Sequence, residues 1–173
     1  RMAKKVNKAS FAEFYLVYAT SQNWTVPDFH ITVCHWLDNF GSLGVLMMPR
    51  GHGKSTLLEA YNAYRLYKNP EELILAQSAT DADAKKTSRA TAQMLEQNPL
   101  SWNCKQARGS VTKWWIKGSL EVKHGNMHVR GILSNVTGAR ASLIVNDDTE
   151  TPSTTASPEL RDKLRYRLSE QIH

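Results

Sequence analysis

Apolar residues follow a helical spacing in some stretches of this chain and form short uninterrupted runs in others. Recurrence every three to four residues predicts amphipathic helices, and short apolar runs bounded by turn residues predict buried strands. The predicted helices cover about residues 9–20, 28–40, 54–67, 80–97 and 158–171, and the predicted buried strands cover 44–48, 73–77 and 143–146. Short β-like runs around glycines between 114 and 129 predict a hairpin.

Strands that alternate with helices predict an α/β fold with an open, mainly parallel sheet, flanking helices and the hairpin as an added edge feature. A basic lead and a first helix occupy residues 1–26, and one α/β core fills residues 27–173. A chain of 173 residues is long enough for a sizeable core. In the second helix, the spacing places Phe29, Val33, Trp36 and Leu37 inward.

Positive charge is concentrated in one segment. The formal net charge is +6, and residues 101–140 hold seven basic side chains against one acid, so the rest of the chain sums to zero. Trp102, Trp114 and Trp115 lie in the same segment. Basic residues interleaved with aromatics suit a polyanion such as nucleic acid, and a solvated surface over core tryptophans is an equal alternative.

The apolar runs and the cysteines bear on the cellular compartment of the protein. No apolar run approaches the roughly 20 residues of a membrane span, and no apolar segment follows the basic N-terminus as in a secretory signal. Cys34 and Cys104 form no CxxC pair, so neither a disulfide framework nor a zinc site is predicted. The expected location is the reducing cytoplasm, with no membrane partner.

Residues 49–56 (P-R-G-H-G-K-S-T) follow the predicted strand 44–48 and open a predicted helix. This layout is typical of a loop that wraps a nucleotide triphosphate: glycines admit phosphate to the backbone, Lys54 supplies charge, and Ser55 offers a hydroxyl to Mg²⁺. Met48 replaces the usual first glycine, and Arg50 is an extra charge, so the loop is a variant. The predicted ATP-binding residues are Pro49, Arg50, Gly51, His52, Gly53, Lys54, Ser55 and Thr56.

Residues 143–150 (L-I-V-N-D-D-T-E) supply the acids that such a loop requires. We assign Asp147 to Mg²⁺, as a strand-end acid does in phosphate-loop ATPases. Asp148 or Glu150 would orient and polarise the attacking water, and position favours Asp148. The alternative is an acidic turn that caps a strand.

Three motifs in this order resemble the large terminase subunit of tailed bacteriophages, particularly the packaging ATPases of short-tailed phages. They are P-R-G-H-G-K-S-T, A-Q-S-A-T-D-A-D-A-K-K and G-I-L-S-N-V-T-G-A-R-A-S-L-I-V-N-D-D-T-E-T-P-S, and the resemblance covers about residues 27–173. It implies a P-loop NTPase in which ATP drives double-stranded DNA through a portal into the procapsid. The implied partners are the DNA, the portal protein, the small terminase subunit and further copies in a ring, in the host cytoplasm.

The resemblance also implies roles for single residues. Arg50 would sense the γ-phosphate or a neighbouring subunit, and Arg140 would act in trans on the adjacent subunit's ATP. His30 stands near the place where the family usually has a glutamine that reads adenine. Further strands, a coupling motif and a C-terminal nuclease domain of the family are not visible, so the resemblance implies a truncated ATPase core.

Two other functions fit the same residues. A helicase-type nucleic-acid ATPase shares the chemistry but requires arginine motifs in a second domain. A non-catalytic nucleotide- or DNA-binding fragment would keep the site residues without turnover.

Overall fold

The structure is a computed structural model, and it describes residues 8–134 and 140–171. The helices are α1 (Phe11–Ser21), α2 (Asp28–Asn39), α3 (Lys54–Lys68), α4 (Asp81–Gln97), α5 (Pro152–Thr155) and α6 (Pro158–Ser169). The strands are β1 (Ile74–Ser78), β2 (Gln106–Ser110), β3 (Lys113–Ile116), β4 (Met127–Gly131) and β5 (Leu143–Asn146). The predicted α/β class and the five long helices are therefore confirmed.

The strands form one sheet in the order β2-β3-β4-β1-β5. Strand β1 pairs in parallel with β4 and β5, whereas β3 is antiparallel to both β2 and β4. The sheet is thus mixed, and the predicted mainly parallel sheet is wrong in this respect. The reason is the connection between β2 and β3, because two residues, 111–112, permit only an antiparallel return.

The predicted hairpin between 114 and 129 is present in part. Strands β3 and β4 pair with Trp114 opposite Met127, and the loop 117–126 joins them. Strand β4 also pairs with β1 and so lies inside the sheet. Strand β2, the true edge, was not predicted, because all five of its residues are exposed and largely polar, and it therefore carries no apolar signal.

The predicted strand 44–48 is wrong. This segment has no regular secondary structure, and Leu43, Val45 and Met47 are 70%, 75% and 88% exposed. An apolar run becomes a strand only where a neighbouring strand satisfies its backbone groups. No described strand lies beside this segment, and β5 pairs with β1 alone among the described strands.

The core lies between one face of the sheet and the helices. Helix α4 packs on β1 and β4, and α1 and α3 pack beside it. Trp114 is fully buried, and its Nε1–H donates to Ser88 of α4 at 2.8 Å. On α2 the buried residues are His30, Cys34 and Leu37.

Two residues predicted to face inward from α2, Phe29 and Trp36, are instead 42% and 38% exposed. The buried stripe of this short helix is shifted by about one residue from the aromatic positions. On the other face of the sheet, the Gln171 side chain just beyond α6 donates to Gln77 of β1 at 2.6 Å. None of the described helices is long and apolar enough to cross a membrane.

Candidate functional site

The glycine-rich loop (residues 49–53) turns sharply into α3. Gly51 and Gly53 have φ angles of +77° and +79°, in the left-handed region where a β-carbon is strained. Pro49, Arg50 and His52 are exposed along this turn. The loop therefore presents its backbone to solvent at the point where the helix begins.

The first turn of α3 is open to an anion. Its N-cap, Gly53, makes no side-chain hydrogen bond, and the turn holds no acid. The helical hydrogen-bond ladder starts with Leu57 N–H donating to Gly53 O at 2.9 Å, so the N–H groups of the preceding helical residues point outward. Lys54, Ser55 and Thr56 supply them. The helix dipole makes such an end favourable for negative charge.

Lys54 joins the two predicted motifs across a sequence separation of 94 residues. Its ammonium lies 2.9 Å from Asp147 Oδ1 and also contacts the Asp148 carboxylate. Asp147 follows β5 directly and continues its pairing, because its N–H donates to Gln77 O at 2.9 Å. The start of α3 and the end of β5 therefore meet at one place.

The acids keep Lys54 charged. Burial lowers the pKa of Lys54, but the hydrogen bonds and charges of Asp148 and Asp147 outweigh burial and hold this pKa above its ordinary value. The side chain of Asp147 is 12% exposed and that of Asp148 is 73% exposed. The cation therefore stands between a sheltered carboxylate and an open one.

Asp148 adopts an unusual backbone conformation. Its φ is +46°, a left-handed value that costs a non-glycine residue on the order of 1 kcal/mol. This turn holds the Asp148 carboxylate against Lys54. Glu150 lies exposed two residues further on. The geometry thus brings Asp148, rather than Glu150, to the lysine.

Glu59 is an acid near Asp147 that is absent from the residues predicted from the sequence. Burial and the charge of Asp147 raise the pKa of Glu59 to about 7. Glu59 lies four residues after Ser55 on α3, so both share one helix face. That spacing is the signal that would have found it.

His30 supports the glycine-rich loop from the protein side. Its Nε2 lies 2.8 Å from His52 O, and its Nδ1 lies 3.1 Å from the Tyr15 hydroxyl. Since a carbonyl only accepts, Nε2–H donates to the loop, and Nδ1 then accepts from Tyr15. A β-carbon at Gly53 would lie 3.1 Å from the His30 ring. Both ring nitrogens are thus engaged within the protein.

The two predicted arginines are not brought to the acids by described contacts. Arg50 is exposed in the glycine-rich loop. Arg140 precedes β5, whereas Asp147 follows it, and the strand alone separates these ends by roughly 13 Å. Residues 135–139, which complete the motif before Arg140, lie outside the described residues.

The side-chain oxygens near Lys54 suit a metal ion that is bound together with a nucleotide better than a metal ion alone. No group of three or more His, Cys, Asp or Glu side chains able to hold a metal occurs among the described residues. Mg²⁺ usually takes one or two carboxylates plus substrate phosphates. The Asp147 carboxylate and the Ser55 hydroxyl are hard oxygen ligands of this kind, so these residues fit such an ion when phosphate completes its shell.

Comparisons with known proteins bear on the same chain. No family model matches it. The chain is 28% identical over 162 residues to the "Terminase, large subunit" of Enterobacteria phage T3. The match covers 91% of this chain, and the chain spans 28% of the length of that relative. The resemblance that the three motifs predicted is thereby confirmed.

Proposed function

We propose that this chain, a relative of a large terminase subunit, is the ATP-binding part of a viral DNA-packaging motor. The observation that carries the proposal is the contact of Lys54 with Asp147 and Asp148. A cation at a glycine-rich helix start and acids at a strand end are the two halves of a P-loop ATPase site. The T3 relative adds the class of motor, since its name is that of a terminase.

The proposed P-loop is the glycine-rich loop with the first turn of α3. Its outward N–H groups and Lys54 would hold the β- and γ-phosphates, and Arg50 would lie over them from the exposed turn. Ser55 and Asp147 would hold Mg²⁺, which neutralises phosphate charge when it is bound. Binding of the phosphates would draw Lys54 away from Asp148 and leave this carboxylate free.

Hydrolysis would then depend on a carboxylate that takes a proton from water. Asp148 stands beside Lys54, and Glu150 lies two residues further along the turn. Replacement of each by its amide separates the two, because an amide keeps the shape but accepts no proton. We expect Asp148→Asn to lose turnover with binding kept, and Glu150→Gln to keep both.

In the assembled motor, hydrolysis would move double-stranded DNA through the portal protein into the procapsid in the host cytoplasm. Arg140 would act on the ATP of a neighbouring copy in a ring, because it lies at the end of β5 away from Asp147. The small terminase subunit would be a further partner. We assign these roles to the assembled motor. The T3 relative is the longer protein, and this chain spans 28% of its length.

Phosphate release from Mg²⁺-ATP, with and without duplex DNA, tests the proposal. We expect turnover that DNA stimulates and that Lys54→Ala and Asp147→Asn abolish. Turnover retained in both variants would overturn it. Binding without turnover in the unmodified chain would reduce the proposal to nucleotide binding.

A further inference from the structure

Two neighbouring strands, β2 and β3, carry cations on the sheet face that points away from α4. Side chains alternate across a strand, so the residues on either side of the buried Trp114 lie on the opposite face. These are Lys113 and Trp115. The register places Arg108 of β2 opposite Trp115, and His128 of β4 opposite Lys113. We call Arg108, Lys113 and Trp115, with the exposed Lys117 and Lys123 of the adjoining loop, the basic face.

The two strand cations are held in place around one aromatic ring. The Arg108 guanidinium lies 4.8 Å from the centroid of the Trp115 ring, and Lys113 Nζ lies 5.4 Å from it. Arg108 also donates to Glu121 O at 3.1 Å, and Lys113 to Lys123 O at 2.8 Å. A guanidinium has five N–H donors and an ammonium three. Each cation therefore keeps donors for an external anion in a position that is already fixed.

No described acid forms an ion pair with a cation of this face. None of the ion pairs among the described residues includes a residue of the basic face. The nearest acid in sequence, Glu121, uses its carboxylate to accept the backbone N–H groups of Lys123 and His124 at 2.5 and 2.8 Å. Burial, together with the charges of Arg130 and Lys113, lowers the pKa of His128. A second acid, Glu71, accepts the Leu120 N–H of the same loop at 2.9 Å. The four cations of the basic face thus outnumber the two carboxylates at its adjoining loop.

We propose that the basic face binds the phosphate backbone of double-stranded DNA. The assignment to DNA rests on the proposed function, and the position of the site rests on the contacts above. Duplex DNA presents a dense line of phosphates, and side chains that bind them need only charge and spacing. Trp115 is engaged by two cations, so it serves to hold them rather than to stack on an unpaired base.

The basic face is separate from the nucleotide site. Strand β2 is one edge of the sheet and β5 is the other, so four strand spacings, or roughly 19 Å, lie between them. Substitutions at one edge are therefore expected to leave binding at the other unchanged. This separation allows each site to be tested without the other.

The test is the salt dependence of DNA binding. Anisotropy of a fluorescein-labelled 30-bp duplex is titrated with the full chain at several KCl concentrations. Two lost phosphate contacts are expected to lower the slope of log K against log salt by about 1.8. We expect Arg108→Gln with Lys113→Gln to show this change and at least about a tenfold loss of affinity at low salt.

Matched variants exclude a simple effect of net charge or of misfolding. Lys85→Gln with Lys86→Gln removes the same charge from α4, on the other side of the sheet, and is expected to keep the slope. Arg108→Lys with Lys113→Arg keeps both cations and is expected to bind as the unmodified chain does. Equal losses in the α4 variant, or an unchanged slope in the double glutamine variant, would overturn the proposal.

Titrations with poly-glutamate and with single-stranded DNA identify the ligand. Equal affinity for poly-glutamate, or tighter binding of single-stranded than of duplex DNA, would contradict the assignment to duplex DNA. The double glutamine variant is expected to bind Mg²⁺-ATP normally. The unmodified chain could fail to bind ATP and still bind duplex DNA with the expected salt dependence. That result would support DNA binding by the basic face and contradict the proposed function.

Discussion

The two edges of the sheet carry opposite arrangements of charge. At the β5 edge, two carboxylates enclose one lysine, and an open helix start lies beside them. At the β2 edge, two cations flank one tryptophan, and neither forms an ion pair with an acid in the described part of the chain. A compact set of alternating charges suits a small, metal-bound phosphate group, whereas an uncompensated row of cations suits a long polyanion. Under the two proposals, one sheet would thus separate two kinds of phosphate recognition.

The largest expected loss of nucleotide binding at the β5 edge comes from adding a methyl group in the glycine-rich loop. At Gly53, an added β-carbon meets both a strained φ of +79° and the His30 ring at 3.1 Å. We expect Gly53→Ala to weaken nucleotide binding about 100-fold or more, and DNA binding to stay unchanged. Titration with a fluorescent ADP measures the first effect, and duplex anisotropy measures the second.

Gly51→Ala is the matched control. It has a similar φ of +77°, but an added β-carbon there has no neighbour within 4 Å. We expect a loss of about tenfold, from backbone strain of roughly 1–2 kcal/mol. Equal losses at both positions would mean that the contact with His30 does not shape the loop.

The next effect in size comes from removing one negative charge at the proposed metal site. Asp147 is the sheltered acid beside Lys54. We expect Asp147→Asn to remove most of the effect of Mg²⁺ on ATP affinity, a change of about 10- to 100-fold, because an amide oxygen is a weaker ligand for a hard cation. Paired ATP titrations with Mg²⁺ and with EDTA measure it. A full Mg²⁺ effect in the variant would assign the metal elsewhere.

The smallest effect concerns Glu59 and pH. Its pKa is raised to about 7 in the folded protein from an ordinary value of 4.5. Between these pH values the folded state holds a proton that the unfolded state releases, so stability falls as pH rises from 4.5 to 7. Glu59→Gln should remove this fall and be more stable above pH 7 by about 1–2 kcal/mol, allowing for partial exposure.

Urea unfolding of both proteins at pH 5 and pH 8 measures the difference. The exposed Glu96→Gln on α4 is the control, and it should leave the pH profile unchanged. A profile for Glu59→Gln that follows the unmodified protein would show that this carboxyl is charged in the fold at neutral pH.

The residues of the β5 edge were largely predictable from sequence, because glycine, lysine and acids in fixed order carry a local chemical signal. The meeting of Lys54 with Asp147 follows from strand ends and helix starts that share one edge of a sheet. The absence of a strand at 44–48, before the loop, was not predictable in this way. The apolar run at 44–48 indicates a propensity to form a β-strand. Whether a strand forms also depends on a neighbouring strand to pair with, which the local sequence does not specify.

The β2 edge shows the opposite case. Its charge was visible in the count of basic residues, but β2 itself has no apolar pattern, and the stacking on Trp115 depends on register. His30 illustrates the same limit at the other edge. Its buried position between Tyr15 and the glycine-rich loop arises from the packing of α1 on α2, which no local spacing of residues reveals.

The most direct test of a nucleotide site at Lys54 is calorimetric titration of this chain with Mg²⁺-ATP, beside Lys54→Ala and the exposed control Lys86→Ala. We expect one site per chain, lost in Lys54→Ala and unchanged in Lys86→Ala. Equal binding by Lys54→Ala, or no binding by a folded unmodified chain, would contradict a nucleotide site built on Lys54 and the acids after β5.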